Sequence, residues 1–341
     1  MANNLSMIAD ELLPSLDQEM KTVLQFDGER VNPFTGMMHY QMGWVDESLQ
    51  PIAAQSGKRI RPLVCLLAEQ AAGGKNRQAV PAAAAIEILH NFSLVHDDIE
   101  DASPLRRGRP TLWRLWGEPQ AINSGDAMFA RAHTALGRLL EKGVPPATVV
   151  LALRRFDQTC FALTAGQYAD MDFEGRPNVT VDEYIEMITG KTAVLLSLSA
   201  ELGALVANAP QEVVRHYAAF GLNLGLAFQV VDDILGIWGD ESRTGKSAAT
   251  DIVTKKKTLP VLYGLDKCQP LRELYATSQP DADFVSEAVG LLDEAGARQF
   301  ASEKAGQYSQ EALANLTAAK PQGAAGKALF ELVDLLLMRE M

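Results

Sequence analysis

Hydrophobic residues recur at three- and four-residue intervals along almost the whole chain, and alternating runs of β-branched residues are rare. This period is that of amphipathic α-helices, since residues three and four apart share one face of a helix. Glycine and proline interrupt the period at intervals and predict about ten helices of roughly 12 to 30 residues. We expect no strands. The pattern therefore indicates an all-α protein.

The breaks between the predicted helices are short, and none of them is a long Pro-, Gly- or Ser-rich linker. We therefore predict a single all-α domain over residues 1–341. The least periodic stretch, 25–43, is expected to connect an N-terminal helical layer (1–45) to a catalytic core (46–341). The sequence leaves open whether this layer contacts a second copy, closes a cavity or only connects.

Charge and composition narrow the possible partners. The 341 residues include 43 acidic and 31 basic side chains, for a formal net charge of -12, and 47% of the residues are hydrophobic. Such a chain is too apolar to be disordered, and without a basic arm it is not expected to bind nucleic acid or an anionic membrane surface. The three cysteines are far apart in the sequence, which argues against a disulfide framework or a zinc site.

The N-terminus lacks the basic and apolar regions of a signal peptide. The longest apolar stretch, 193–209, contains Ser197, Ser199 and Glu201 and is shorter than the ~20 residues that span a membrane. We therefore expect a cytoplasmic protein with no stable membrane insertion.

A first acidic cluster ends an apolar helical run at residues 94–101. It holds Asp97, Asp98, Glu100 and Asp101. Because Asp97 and Asp101 are four residues apart, they share one helix face. An isolated cluster of this kind is also typical of a solvated helix end, but carboxylates are the ligands of Mg²⁺, whose coordination is usually completed by substrate phosphates.

A second acidic cluster, Asp232 and Asp233, ends another apolar run. On a helical wheel one stripe carries a small residue, an aromatic ring, an amide and a carboxylate, namely Gly225, Phe228, Gln229 and Asp232. Two such clusters favour a site in which Mg²⁺ ions bind a diphosphate.

Cationic residues follow or precede both clusters. Any one of these groups is more often a solvated loop, and the run 255–257 alone is typical of a helix-surface charge run, but arginine and lysine also neutralise bound phosphate. His90 lies two helical turns before Asp97, where it is either a core residue or an anion ligand. The cationic motifs are Gly57-Lys58-Arg59-Ile60-Arg61-Pro62, Arg106-Arg107-Gly108, Lys191-Thr192, Gly245-Lys246 and Lys255-Lys256-Lys257.

Taken together, these motifs resemble those of the trans-type isoprenyl diphosphate synthases, also called polyprenyl synthetases. The matching motifs are G-K-R-x-R-P at 57–62, D-D-x-x-D at 97–101, R-R-G at 106–108, K-T at 191–192 and F-Q-x-x-D-D at 228–233. Their order and spacing agree over residues 50–265. The resemblance implies a helical bundle around a deep central cavity and a homodimer. It also implies a Mg²⁺-dependent, head-to-tail condensation of isopentenyl diphosphate with an allylic diphosphate.

The resemblance also implies a role for each matching residue. The Mg²⁺ ligands, for three ions with substrate bound, are Asp97, Asp101 and Asp232. The allylic diphosphate is bound by Arg106, Lys191, Gln229, Lys246 and Lys256, and isopentenyl diphosphate by Lys58, Arg61, His90 and Arg107. Thr192 forms a hydrogen bond near the reacting carbons. The residues with a catalytic role are Asp97, Asp101, Arg106, Lys191, Thr192, Asp232, Lys246 and Lys256.

The second motif departs from the family pattern, because Gly236 stands where many members have a last aspartate. Product length in the family depends on the bulk before the first motif. Here Phe92 is five residues and Ser93 four residues before Asp97, a pattern similar to that of geranylgeranyl diphosphate synthases. We therefore expect a C20 product. A farnesyl or longer-chain product is the alternative, and Phe92 has a purely structural interpretation as a core residue.

Three other functions fit these residues less well. A class I terpene cyclase binds one allylic substrate and has no use for Lys58, Arg61 and His90. A non-catalytic synthase subunit is expected to have lost the first acidic cluster, which is intact here. A phosphohydrolase built on His96 and Asp97 lacks evident further histidine ligands.

Overall fold

The computed structural model describes residues 4–25, 32–52, 57, 59–75, 77–239, 249–277 and 281–337. This part of the chain is almost entirely helical, which confirms the prediction of an all-α protein. Several short helices bring the count above the ten or so expected. The helices are α1 (Asn4–Val23), α2 (Pro33–Gln41), α3 (Ile60–Ala71), α4 (Val80–Glu100), α5 (Leu112–Trp116), α6 (Glu118–Gly137), a 3₁₀ turn (Arg138–Lys142), α7 (Pro146–Gly175), α8 (Val181–Ile188), a π turn (Thr189–Ala193), α9 (Val194–Val206), α10 (Gln211–Trp238), α11 (Thr250–Val253), α12 (Leu259–Lys267), α13 (Gln269–Thr277), α14 (Ala282–Glu294), α15 (Ala297–Ala318) and α16 (Gly323–Leu337).

The expectation of no strands is wrong at one place. Strands β1 (Leu105–Arg106) and β2 (Arg109–Pro110) form an antiparallel hairpin. The two loop residues, Arg107 and Gly108, both have positive φ, 53° and 75°. A two-residue loop with this backbone is a type I′ turn, whose twist matches that of paired strands. Strands of two residues are too short to leave an alternating pattern in the sequence.

The stretch expected to be a connection contains a helix. Helix α2 begins at Pro33, and the side chain of Asn32 caps it by accepting a hydrogen bond from the Phe34 N–H at 2.9 Å. Proline suits the first helical position because its fixed φ is already helical and no N–H is lost there. The helix buries His39, whose Nε2 lies 2.8 Å from the Leu24 carbonyl oxygen. The lack of periodicity at 25–43 therefore did not mean a lack of helix.

The chain divides into two compact units. The first unit comprises Met1–Arg155, Ser199–Val214 and Pro321–Leu329. The second comprises Phe156–Leu198, Arg215–Lys320 and Phe330–Met341. Helices α7, α9, α10 and α16 each contribute residues to both units. The predicted organisation, one domain over residues 1–341 with an N-terminal layer at 1–45 and a catalytic core at 46–341, stays a prediction.

In the first unit α4 is the central helix, packed against α1, α3 and α6. Its residues from Ala82 to Ile86 are fully buried, and so are Ile88 and Leu89. A helix that is apolar on all sides over this length must be surrounded by other elements. Apart from the buried Glu87, the acidic residues of α4 lie in its last turn, so burial of the N-terminal part fixes the position of that acidic cluster.

In the second unit an apolar cluster joins α8, α10 and α12. Tyr184 and Ile188 of α8, Val230 and Ile234 of α10 and Leu259 of α12 are all buried in it. Side chains on α10 that point away from this cluster are the ones available for chemistry.

Two helical segments in the described part are long and apolar enough to cross a membrane by length and composition alone. They are Val181–Val206 and Gln211–Trp238, and their apolar windows are 56% and 61% buried within the protein. Buried core helices of soluble proteins share this length and composition. The absence of membrane insertion and the cytoplasmic location stay predictions.

Candidate active site

The first acidic cluster occupies the last turn of α4. Asp101 is the C-terminal cap, and its backbone N–H donates to the Asp97 carbonyl at 2.8 Å. Asp97 is partly buried and Asp101 is exposed, whereas Asp98 is only 2% exposed. Asp98 accepts a hydrogen bond from Arg106 Nε at 2.7 Å. Burial raises the pKa of Asp98, although the Arg106 guanidinium opposes this shift.

This ion pair fastens the hairpin to the helix. Because Arg106 is the last residue of β1 and Asp98 lies on α4, the pair holds the R-R-G turn beside the acidic cluster. The pair uses the Nε–H of Arg106, and guanidinium carries further N–H donors that suit an anion. Arg109, its strand partner, has a different role: it donates to the backbone oxygens of Tyr40 and Val45 at 3.2 and 2.7 Å. Both strands of the hairpin are therefore held by an arginine, β1 through Arg106 and β2 through Arg109.

A cluster of arginines surrounds His90, which lies about two turns before Asp97 and about three turns before Asp101 on α4. Arg61 Nη1 lies 3.5 Å from His90 Nε2. A Cβ at Gly57, which precedes α3, would lie 2.8 Å from Arg107 Nη2, so the guanidinium of Arg107 packs directly against this glycine. Burial, followed by the charges of Arg61, Arg107 and Arg106, holds the pKa of His90 well below its ordinary value. A neutral histidine beside three guanidinium groups makes a region of positive potential suited to a diphosphate.

Two acids that the sequence did not single out, the half-exposed Asp17 and the buried Glu87, lie close to the arginines of this region. Arg59, 6% exposed and with a φ of 47°, forms an ion pair with Asp17 of α1. Glu87 is 5% exposed; burial raises its pKa, while Arg59, Arg61 and Arg107 lower it. Contacts made across long sequence separations leave no spacing signal, which is why Asp17 and Glu87 were missed.

The two residues predicted to set product length lie beside each other on α4 in different surroundings. The Phe92 ring is 9% exposed and packs against Phe129 of α6, with ring centroids 5.1 Å apart, and against His96 at 4.8 Å. Ser93 is partly buried, and its hydroxyl donates to the His90 carbonyl at 2.9 Å. Phe92 is therefore part of the packing between α4 and α6.

In the second unit the K-T motif lies in the π turn, Thr189–Ala193. Lys191 Nζ lies 2.5 Å from the Asp170 carboxylate of α7. Two glycines allow this approach: a Cβ at Gly166 would lie 2.2 Å from the Lys191 nitrogen, and one at Gly190 would lie 2.7 Å from the Ala162 carbonyl oxygen. The backbones of α7 and the π turn are thus in direct contact. π turns are frequent at functional sites because they redirect side chains.

A third glycine brings α10 against the same turn. A Cβ at Gly225 would lie 2.6 Å from the Ala193 Cα. One helical turn further on, Gln229 Oε1 accepts a hydrogen bond from the Thr192 hydroxyl at 3.0 Å. The other end of the same amide donates to Asp233 Oδ1, also at 3.0 Å. Gly225 is the small residue that shares a helix stripe with Gln229. A glycine fits there because the backbones of α10 and the π turn are in contact at this position.

The second acidic cluster separates into an exposed and a buried carboxylate. Asp232 is exposed, while Asp233 is 2% exposed. Asp233 Oδ2 accepts hydrogen bonds from the Tyr184 hydroxyl at 2.6 Å and from the Leu259 N–H at 3.3 Å. Burial raises the pKa of Asp233 to about 7 against the opposing effect of these donors and of Lys256.

The three consecutive lysines after α11 have three different environments. Lys255 donates to the Tyr275 carbonyl at 2.9 Å. Lys257 donates to the carbonyls of Phe173 and Arg176 and so caps the C-terminus of α7. Lys256 is exposed. The run lies in the turn and loop after α11, so the interpretation as a helix-surface charge run is wrong.

The departure at Gly236 has a structural counterpart. A Cβ at Gly236 would lie 2.1 Å from Asp251 Oδ2, so the carboxylate of Asp251 occupies the space where a side chain at position 236 would begin. Asp251 belongs to α11 and follows Gly236 by fifteen residues. The second motif lacks its last aspartate, yet a carboxylate stands at that point of α10.

The predicted site residues thus fall into one group in each unit, and Lys58 and Lys246 lie outside the described residues. The first unit holds Arg61, His90, Phe92, Ser93, Asp97, Asp101, Arg106 and Arg107. The second unit holds Lys191, Thr192, Gln229, Asp232 and Lys256.

Carboxylate oxygens in pairs suit Mg²⁺. In the part of the chain that the structure describes, no three or more His, Cys, Asp and Glu side chains are arranged to hold a metal by themselves. Mg²⁺ typically takes one or two carboxylates and completes its shell with water and substrate phosphates. Asp97 and Asp101, four residues apart at a helix end and accessible to solvent, fit this donor set.

Comparisons with known proteins agree with the motifs. A family described as polyprenyl synthetase matches residues 42–292. A geranylgeranyl diphosphate synthase of Mycobacterium tuberculosis is 40% identical over 90% of this chain and 87% of its own length. A (2E,6E)-farnesyl diphosphate synthase of Mycobacterium bovis is 40% identical over 82% of this chain and 79% of its own. Among solved structures, the geranylgeranyl pyrophosphate synthetase of Pyrococcus horikoshii is similar with a TM-score of 0.87 and 31% identity, covering 99% of this chain and 98% of that one.

Proposed function

The chain belongs to the polyprenyl synthetase family and is a prenyltransferase, and on this premise we propose that it makes geranylgeranyl diphosphate. The reaction joins isopentenyl diphosphate to an allylic diphosphate and lengthens the allylic chain by five carbons. The observation that carries the proposal lies in the first unit. There a solvent-accessible carboxylate pair and a cluster of three arginines stand on and around one helix, α4.

The carboxylates and the arginines suit different parts of the substrates. We assign Asp97 and Asp101, together with Asp232, to Mg²⁺, and Arg61, His90 and Arg107 to the diphosphate of isopentenyl diphosphate. Mg²⁺, when bound, neutralises charge on the diphosphate that leaves the allylic substrate. A class I terpene cyclase binds one diphosphate substrate and does not need a second anion site. The arginine cluster supplies such a site, so it favours a reaction with two diphosphate substrates.

Cationic side chains of the protein stabilise the departing diphosphate. Arg106, Lys191 and Lys256 supply positive charge where negative charge develops. Two of them are already oriented by carboxylates, Arg106 by Asp98 and Lys191 by Asp170. Held cations need little reorganisation when the bond breaks. The carbon–oxygen bond breaks with its electron pair on the diphosphate, which leaves an allylic cation.

The new carbon–carbon bond then forms between this cation and the double bond of isopentenyl diphosphate. The resulting cation loses a proton, for which the diphosphate is the nearest strong acceptor. No protein nucleophile takes part. Thr192, whose hydroxyl is held by Gln229, is assigned to the reacting carbons.

Two observations support a C20 product. Phe92 and Ser93 precede Asp97 in the pattern of geranylgeranyl diphosphate synthases, and a similar protein carries that name. The aromatic ring at position 92 is anchored on Phe129, so it is rigid enough to limit a growing chain. Curated relatives of equal identity carry geranylgeranyl and farnesyl names, so product length needs a direct measurement.

Product sizing after elongation tests the proposal. The protein is incubated with Mg²⁺, isopentenyl diphosphate and each of the C5, C10 and C15 allylic diphosphates, and the products are separated by chromatography. We expect C20 to dominate. Asp101→Asn should lower the rate by about 10²-fold or more, whereas Asp266→Asn, the same change at an exposed position of α12, should not. No elongation with any primer would refute the function, and a dominant C15 or C30 product would refute only the chain length.

We also propose that the protein forms a homodimer, as the family resemblance predicts. Helix α7 exposes Phe161 and Tyr168 at 78% and 72%, and seven residues, or two turns, place them on one face. Large apolar side chains in a row on one helix suit a second copy of the same chain. Light scattering should give twice the mass of the chain, and Phe161→Glu should give a monomer; a monomeric wild type would refute this.

A further inference from the structure

A chain of hydrogen bonds runs from a buried carboxylate to the hydroxyl assigned to the reacting carbons. Asp233 accepts from Gln229 Nε2 at 3.0 Å, and Gln229 Oε1 accepts from the Thr192 hydroxyl at 3.0 Å. All three residues belong to the second unit. The chain links α10 to the π turn, where the close contact at Gly225 holds the backbones together.

The donor and the acceptor of each hydrogen bond in this series follow from Asp233, the residue at its start. Asp233 Oδ1 accepts from Gln229 Nε2, so the nitrogen of the Gln229 amide faces Asp233 and its oxygen faces Thr192. An amide oxygen only accepts, so the hydroxyl of Thr192 must be the donor. Its hydrogen is therefore committed to Gln229, and the lone pairs of Oγ1 remain for whatever lies on its other side.

Asp233 is held in the acceptor role by its surroundings. Besides Gln229, the Tyr184 hydroxyl and the Leu259 N–H donate to the same carboxylate at 2.6 and 3.3 Å. The Asp233 carboxyl oxygens are therefore the acceptors in all three hydrogen bonds. Burial to 2% exposure keeps water from competing for these bonds.

We propose that Asp233 is a positioning residue that sets the hydrogen-bond direction of Thr192, so that lone pairs and not a hydroxyl hydrogen face the allylic cation. The proposal rests on the proposed function, which places Thr192 near the reacting carbons. A fixed dipole with its negative end towards developing positive charge stabilises a transition state. Asp233 thus acts on the reaction through two intervening side chains.

Asp233→Asn tests this direction because an asparagine amide can donate to Gln229. Gln229 is then free to turn, and Thr192 to accept in place of donating. We expect kcat to fall by about 10²-fold, with the KM for both substrates changed less than about threefold. Tyr217→Phe, which removes another buried hydroxyl in the same unit, is the matched control. Its hydroxyl has no hydrogen-bond partner among the described residues, so kcat should not change.

A double-mutant cycle separates positioning from general damage. Thr192→Val removes the hydroxyl at nearly constant volume, and Thr192→Ser keeps it. If Asp233 acts through Thr192, Asp233→Asn should lower kcat no further than about twofold in the Thr192→Val background. In the Thr192→Ser background, which keeps the hydroxyl, Asp233→Asn should still lower kcat by about 10²-fold. Losses that multiply in the double variant would overturn the proposal. If Asp233→Asn does not fold, Gln229→Met breaks the same chain without touching the buried charge and enters the same cycle.

A binding measurement keeps this test independent of turnover. Calorimetry compares a protonated-amine analogue of the allylic chain with its neutral hydrocarbon counterpart, each in the presence of Mg²⁺ and inorganic diphosphate. We expect Asp233→Asn to weaken only the cationic analogue, by about tenfold. Equal weakening of both analogues would overturn the positioning role. A wild-type protein that neither elongates nor binds diphosphate would instead refute the proposed function, and this proposal with it.

Discussion

Gly166→Ala should disable the enzyme through a single added methyl group. Gly166 lies in the middle of α7, where its backbone touches the π turn that carries Lys191 and Thr192. The new Cβ would lie 2.2 Å from the Lys191 nitrogen and 2.7 Å from the Gly190 carbonyl carbon. Both of these are backbone atoms, so no side chain can rotate to make room.

The required displacement can be worked out from these distances. Ordinary Cβ contacts begin at 3.4 Å, so a contact of 2.2 Å must lengthen by about 1.2 Å. Overpacking of this kind typically costs about 1–3 kcal/mol of the free energy of unfolding. The same shift moves Lys191 away from Asp170, one turn after Gly166 on α7, and misplacement by about 1 Å costs about 10²-fold in rate. A loss of about 10²-fold in rate corresponds to about 2.7 kcal/mol of activation free energy, so the effects on rate and on stability should be of similar size.

The assay pairs thermal melting with incorporation of labelled isopentenyl diphosphate. Gly306→Ala is the matched control, since Gly306 also lies inside a helix, α15, and a Cβ there would meet nothing within 4 Å. The control should be as active as wild type and slightly more stable, because alanine favours helix over glycine by about 1 kcal/mol. If Gly166→Ala melted and turned over like the control, the backbone contact would not position the π turn as argued.

Three further outcomes are expected. Phe92→Ala should lengthen the products seen by chromatography, because it removes the ring packed on Phe129; unchanged products would make Phe92 only a core residue. Gly236→Asp should lower the melting temperature, since its Cβ would lie 2.1 Å from Asp251 Oδ2, and Asp251→Ala in the same chain should restore it; no restoration would contradict the clash. Backbone and side-chain donors from Thr180 and Arg176 lower the pKa of Glu183 from 4.5 to about 2. Its contribution to stability is therefore present above pH 4.5 and lost as the pH falls to about 2, so acid denaturation of Glu183→Gln should lack this part of the pH dependence.

The positions of the acidic clusters could be predicted because local periodicity determines them. Burial of the apolar residues of α4 leaves only its last turn for Asp97 and Asp101, as the sequence indicated. The same logic identified Gly225 and Gln229 as neighbours on one face of α10. The spacing of residues within one helix can be read from the sequence, and it determines which of them share a face.

What the sequence did not show depends on contacts between distant segments. The partner of Arg59 is 42 residues away, at Asp17, and the carboxylate beside Gly236 comes from another helix. The role of Asp233 was also missed, since adjacent aspartates look alike until one of them is seen to be buried against Tyr184. The type I′ hairpin at Arg107 depends on two positive φ angles, only one of which is marked by a glycine.

The π turn has a consequence for how this segment tolerates insertions and deletions. Helix α8, the π turn and α9 run without a break from Val181 to Val206. A π turn closes its hydrogen bonds over five residues where an α-helix uses four, so it holds one residue more than the regular period. Deleting one residue between Thr189 and Ala193 would therefore leave a regular α turn, with the helical residues on either side still in register. The flanking apolar residues would keep their faces, but Lys191 and Thr192 would lose the orientation that the π turn gives them, so such a deletion should damage activity more than folding.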